Sequence, residues 1–306
     1  MRVHLLLAYL LFASLPNCFA QSKTVAERLG YPRDAKLLII HADDLAVAHS
    51  EDAASFDALD KHAATSASIM VPCPWLTEVA EYAKAHPDAD LGLHLTVTSE
   101  WKTYRWGPVE SKDKVPSLLD PDGYLWPETE PATKNIKAED AEREIRAQIA
   151  KAMSLGIHPT HVDSHMGEFF ERPDLFAVYL KVAHEYKLPF LATLGDQAPP
   201  ALVALLSKND IVLDSVVMAY PSVPADNWKN FYLDTIRNLK PGLTEMIVHL
   251  GHDDAELRAV TVDHPDYGAA WRQRDYEVIT SPEFKKALED NHVVLIHWSE
   301  IRKLIQ

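Results

Sequence analysis

From residue 35 onward, short apolar runs alternate with longer stretches whose apolar positions recur at helical spacing, which predicts repeated β-α units. Leu37-Leu38-Ile39-Ile40 reads as a buried strand ending at His41-Ala42-Asp43-Asp44. A helix over about Ser50 to His62 follows, with Ala53, Phe56 and Leu59 on one face. Ala67 to Val71 predicts a second strand, closed by Pro72 and Pro74, and a helix from Leu76 to His86 leads into a third, Leu91 to Leu95. Between Ser99 and Lys137 the rhythm breaks. This stretch is rich in Trp, Tyr, Pro and Asp and reads as a long excursion from a barrel rim. The pattern resumes with a helix from Ala138 to Leu155 and Gly156 as its C-cap. Further strands are predicted at Thr160 to Ser164, Phe190 to Thr193, Ile211 to Leu213, Met246 to Leu250 and Val293 to His297. About eight strands alternating with helices predict an α/β chain folded as a distorted (β/α) barrel; an open doubly wound sheet is the alternative.

The first residues do not share this rhythm. Arg2 and His4 precede an unbroken apolar run, Leu5 to Leu15, and Cys18-Phe19-Ala20 puts small side chains where a signal peptidase reads them. Residues 1–20 are therefore expected to be a secretory signal, leaving 21–306 as one domain in a secreted or periplasmic protein. The run is too short and wrongly flanked for a membrane span, and no membrane association is expected once it is removed. Of the two cysteines, Cys18 leaves with the signal, so Cys73 has no internal partner and stability must come from a core. The formal charge of −15, about −16 without Arg2, argues against nucleic acid or anionic lipid as partners. A neutral sugar is compatible with it, and so is a homodimer.

Four polar clusters fall where apolar strands end, the rim on which barrel enzymes carry their sites. In Asp43-Asp44, one carboxylate can hold a divalent metal while the other takes a proton from water, provided the strand stops there so that adjacent side chains share a site. Taken alone, the pair is equally a helix N-cap or a solvated turn. His94 sits inside the apolar run Leu91-Gly92-Leu93-His94-Leu95, as a ligand or as a satisfied core residue. In His161-Val162-Asp163-Ser164-His165, positions i, i+2 and i+4 of a strand put His161, Asp163 and His165 on one face, pointing into the barrel. Three ionisable groups there are costly unless they hold a metal or one another. The last cluster is Glu245 to Asp254, in which His249 is a candidate general acid. One aspartate with two histidines leaves coordination positions open to water; the mixed N/O set fits Zn²⁺ and tolerates Mg²⁺, Mn²⁺ or Ni²⁺. Trp101, Tyr104 and Trp106 offer a sugar-stacking platform or ordinary packing of the excursion.

Taken in order, Asp43-Asp44, Thr65-Ser66, Gly92-Leu93-His94-Leu95, Thr160-His161-Val162-Asp163-Ser164-His165 and Glu245…His249 resemble the YdjC/ChbG-type carbohydrate deacetylases over most of the chain. The resemblance implies a distorted (β/α) barrel with a divalent metal, Zn²⁺ or Mg²⁺, on Asp44, His94 and His165. It also implies Asp43 as base, His249 as proton donor, and an N-acetylated amino sugar or oligosaccharide as substrate. By their position in the sequence, His161, Asp163, Trp101 and Trp106 are candidate substrate contacts. The chain departs from the family pattern at Leu45-Ala46, where many members carry Phe-Gly or Leu-Gly. It departs again at Asp52, often Asn, and at His249-Leu250-Gly251, usually His-Pro-Gly. A glycoside hydrolase using Asp43 with Asp163 and a periplasmic sugar-binding protein with a structural metal are the competing expectations. A metal-dependent phosphoesterase or sugar isomerase is a further alternative, although the sequence shows no basic phosphate clamp.

Overall fold

The computed structural model describes residues 23–193 and 199–305; the expected signal segment lies outside the described residues. Seven strands are formed among them: β1 (Lys36–Leu45), β2 (Ser66–Ile69), β3 (Leu91–Leu95), β4 (Val162–Ser164), β5 (Ser215–Met218), β6 (Gly242–Val248) and β7 (Val293–Leu295). All pair in parallel, in the order β4-β3-β2-β1-β6-β5, with β7 beside the first residues of β1. Helices such as His49–Asp60, Leu76–Ala85, Ala138–Ser154, Pro173–Tyr186 and Ala269–Ile279 follow or precede the strands, so each parallel neighbour is reached by a crossover. No helix among the described residues is long and apolar enough to cross a membrane.

The sheet curls until its ends meet. Past β4, the Leu191 N–H donates to Val162 O (3.0 Å) and the Leu213 N–H to Ala192 O (2.8 Å), and the Asp214 N–H then reaches Leu243 O on β6 (2.8 Å). The strands expected at 190–193 and 211–213 are thus present only as isolated bridges. The Asp214 carboxylate takes the Leu243 N–H at 2.7 Å, and a regular strand, β5, starts only at the next residue. The result is a distorted (β/α) barrel.

Alternation decides what lies inside. On β1, Leu37 and Ile39 join Leu191, Ile211, Leu213, Leu243 and Ile296 in one apolar cluster, whereas Leu38, Ile40 and Ala42 join the larger cluster shared with the helices. Odd positions of β1 and β6 therefore face the barrel interior. Continuing upward on the same parity come His41 and Asp43 on β1, and Glu245 and His249 along β6. The interior is apolar at the floor and ionic at the strand C-termini.

The excursion after β3 folds back as a cover. Trp101, Trp106, Val115, Leu118, Leu125, Ala132 and Ile136 are buried within it. Arg105 cross-braces it by donating to Asp120 (2.9 Å) and Leu125 O (2.6 Å).

Candidate metal and catalytic centre

A strand that stopped at Asp43-Asp44 would let the two adjacent side chains share a site. Instead β1 runs on to Leu45, and a bulge does the turning: its register against β2 shifts between Ala42 and Leu45, and Asp44 has φ +72°. That left-handed residue brings two consecutive carboxylates to one side. Ala46 is also left-handed (φ +78°), and its N–H is held at 2.6 Å by the buried Asp52 carboxylate. The departures from the family pattern at Leu45-Ala46 and Asp52 thus meet in one turn.

His94 comes from β3, in register with Asp163 of β4. His165 is the first residue beyond β4, opening a 3-10 turn in which Met166 and Gly167 take left-handed conformations. Asp44 Oδ1 lies 3.4 Å from His94 Nε2 and 3.4 Å from His165 Nδ1. It is buried and accepts no hydrogen bond. The far nitrogen of each imidazole rests on a carboxylate, His94 Nδ1 on Asp163 at 2.7 Å and His165 Nε2 on Glu100 at 3.0 Å. This carboxylate–histidine pairing orients both rings and raises their basicity. Ligand atoms of Asp44, His94 and His165 all lie within 4.8 Å of one another. Two imidazole nitrogens around an orphaned carboxylate oxygen form a donor set that fits a divalent cation.

Electrostatics point the same way. Burial alone lowers a histidine, yet Glu100 and Asp44 hold His165 up at about 10, and Asp163 and Asp43 raise His94. Burial would raise Asp44, but the Arg272 guanidinium, His165 and His249 keep it well below the usual carboxylate range. Arg272 donates to Asp44 Oδ2 at 2.9 Å and reaches Glu51 at 3.1 Å, so only Oδ1 of Asp44 is free to face the two imidazoles. His249, just past β6, is largely buried. Its Nε2 lies 3.9 Å from Oδ2 of both Asp43 and Asp44, its ring packs on Trp271, and its backbone N–H donates to Asp275. Burial lowers its ring to about 4, so it is neutral near pH 7.

The structure brings Asp43, Asp44, His94, Asp163, His165 and His249 together. His161 also points inward, but at the floor: it is fully buried, stacks on Trp298 (5.0 Å) and faces Gly92, whose absent Cβ would lie 2.3 Å from the ring. It is out of reach of a substrate at the rim. Asp163 is buried with both oxygens engaged by His94 and His41, so it supports the site without facing a ligand. Trp101 and Trp106, 2% and 4% exposed, offer no stacking face: they pack on each other and Tyr104, and the Trp106 ring N–H donates to Thr98 O. Glu100, Arg272 and His41 were not singled out from the sequence. Arg272 is far from any motif and Glu100 falls in the irregular stretch after Leu95, where no period marks it; only His41, one alternation before Asp43 on the same strand, carried a signal.

An α/β barrel with a carboxylate–imidazole site on the C-terminal ends of its strands is the class of protein that fold and site define. The family model described as YdjC-like protein matches residues 37–290, and the chain belongs to that family. It is 34% identical to a carbohydrate deacetylase of Thermus thermophilus, over 91% of this chain and 98% of the relative. It is 25% identical to one of Thermoanaerobacter pseudethanolicus, over 87% and 100%. A chitooligosaccharide deacetylase of Yersinia enterocolitica matches at 29% over 50% of this chain and 58% of its own. A crystal structure from Enterococcus faecalis, described as a cellobiose-phosphate cleavage protein, superposes with a TM-score of 0.73 at 24% identity, covering 87% of this chain and 99% of that one.

Proposed function

We propose that this protein is a metal-dependent carbohydrate deacetylase that hydrolyses the N-acetyl group of an amino sugar or chitooligosaccharide and releases acetate. The observation that carries the reading is the unpartnered Asp44 Oδ1 between His94 Nε2 and His165 Nδ1, in a chain whose relatives bear that name. Those three residues would hold the cation, with Zn²⁺ or Mg²⁺ the expected occupants. When bound, a divalent cation there supplies Lewis acidity toward a carbonyl oxygen and lowers the pKa of water.

The chain's own residues do the rest. Asp43 turns Oδ2 toward the space between His94 and His249, where it takes the proton of the attacking water. His249 is neutral and so must first gain the proton it donates; neighbouring Asp43 is its source, and the departing amine is the acceptor. Arg272 keeps Asp44 an anion throughout. The sugar ring is set by exposed aromatic faces at the mouth. Tyr220 follows the C-terminal end of β5, and Tyr267 leans on Trp271 (5.2 Å), which in turn packs on His249 (5.0 Å). Residues 1–20 direct the protein out of the cytoplasm.

The test is acetate release from N-acetylated chitooligosaccharides, with and without chelator. Release that chelator abolishes and Zn²⁺ or Mg²⁺ restores is the expected result. New reducing ends without acetate would indicate a glycoside hydrolase instead, and binding without turnover a sugar-binding protein.

A further inference from the structure

We propose that His41 is a positioning residue for this site, whose one ring nitrogen anchors Asp43 and Asp163 from beneath so that each carboxylate turns its other oxygen to the reacting centre.

His41 precedes Asp43 by two residues on β1, so alternation puts both side chains on the interior face. The ring is completely buried. Its Nε2 is in hydrogen-bond contact with Asp163 Oδ2 (3.0 Å) and Ser68 Oγ (3.1 Å). It sits at ion-pair distance, 3.1 Å, from Asp43 Oδ1, which has no other polar partner among the described residues and which it holds by charge. The remaining oxygens face upward. Asp43 Oδ2 is 3.7 Å from His94 Nε2 and 3.9 Å from His249 Nε2, and Asp163 Oδ1 takes His94 Nδ1 at 2.7 Å. One imidazole thus sets the rotation of the proposed base and, through Asp163, the orientation and tautomer of a proposed metal ligand. It touches neither Asp44 nor His165, so it acts only through the two carboxylates.

The ring is itself held. The edge of His161 meets it at 4.9 Å, and His161 stacks on Trp298 and shares a hydrogen bond with Thr160. Ser68 and Gly92, small residues on β2 and β3, leave room for the two imidazoles at the barrel axis. Charge agrees with geometry. Burial opposes a cationic ring, yet Glu245, Asp163 and Asp43 surround it and favour the protonated form. A cation between two carboxylates offsets a repulsion that would otherwise push Asp43 away from Asp163.

The role assigned to Asp43 rests on the deacetylase reading, whereas the link to His94 does not, so the test has two independent arms. In the first, kcat and KM for acetate release are measured for His41→Phe, His41→Gln, Asp43→Asn and the doubles. Loss of a group that orients such a site costs about 10- to 100-fold, and the loss in His41→Phe is expected in kcat with KM nearly unchanged. His41→Gln, whose amide N–H reaches the same point, recovers most of it. In the Asp43→Asn background His41→Phe adds little, because the group it acts through is already disabled. In the second arm, Zn²⁺ affinity is read by chelator competition for His41→Phe, Asp163→Asn and the double, and the two losses are expected to be less than additive. Should His41→Phe fail to fold, His41→Asn, polar but too short to reach either carboxylate, replaces it in both cycles. Fully additive losses in both cycles, or wild-type kcat and Zn²⁺ affinity in the His41 variants, overturn the proposal. If wild-type protein releases no acetate from any acetylated sugar, the deacetylase reading fails while the Zn²⁺ cycle still decides the part played by His41.

Discussion

The lower and upper halves of the barrel interior are built from the same strands on the same alternation, yet they hold opposite chemistry. At the floor, Leu37, Ile39, Leu191, Ile211, Leu213, Leu243 and Ile296 fill the space with apolar atoms. One or two alternations higher, His41, Asp43, Glu245 and His249 occupy equivalent inward positions. The floor is stabilised by burial, about 1.5 to 3 kcal/mol for each large aliphatic side chain. The upper half costs stability, because buried carboxylates and imidazoles are compensated by one another and by Arg272, and by a cation only on the function proposed above. Inward-facing parity therefore says where a side chain points and nothing about its purpose. The level along the barrel axis does.

Variants of the two halves are expected to fail in opposite ways. His94→Ala or His165→Ala is expected to abolish metal retention and to lower acetate release by at least the roughly 10²- to 10⁴-fold typical of losing a catalytic group. Full activity in either variant would sink the metal assignment. Ile39→Ala should do the reverse, lowering unfolding free energy by about 2 to 5 kcal/mol in denaturant titration with kcat retained in the folded fraction.

The rim sharpens the contrast. Tyr267 is 39% exposed and Trp101 only 2%. Tyr267→Ala should raise KM for an acetylated oligosaccharide several-fold, in line with about 1 kcal/mol from one lost aromatic contact, and leave stability within about 0.5 kcal/mol. An unchanged KM would remove it from the sugar contact. The smallest effect is expected at the bulge. Ala46 holds a left-handed conformation that costs an L-residue about 1 to 2 kcal/mol, so Ala46→Gly should stabilise the protein by up to about 1 kcal/mol once the added chain entropy of glycine is counted. A melting temperature that falls instead would show that the Ala46 methyl contributes more by packing than its backbone strain costs.

Much of this was legible in the residues. Apolar runs ending in Asp43-Asp44, His94, Asp163-Ser164-His165 and His249 marked the strand ends and the groups that meet there, because strand alternation and a polar terminus are local properties. Strand lengths were less legible. The runs at 190–193 and 211–213 have strand-like composition but find only single bridges, while Ser215–Met218 becomes a strand through its neighbour β6. The Trp101 and Trp106 side chains illustrate the same limit. Their type suits a sugar platform, and only the fold of the excursion turns them inward.

Spacing along one chain sets the order of β-α units, the face each strand residue takes, and the ionisable side chains that stand at the strand ends. Tertiary structure alone decided that a left-handed Asp44 would let adjacent carboxylates share a site, and that Glu100 and Arg272 would complete it. It also decided that His41 would stand between two acids. Those outcomes depend on close approach between residues far apart in the chain, and contacts of that kind leave no period or motif to read.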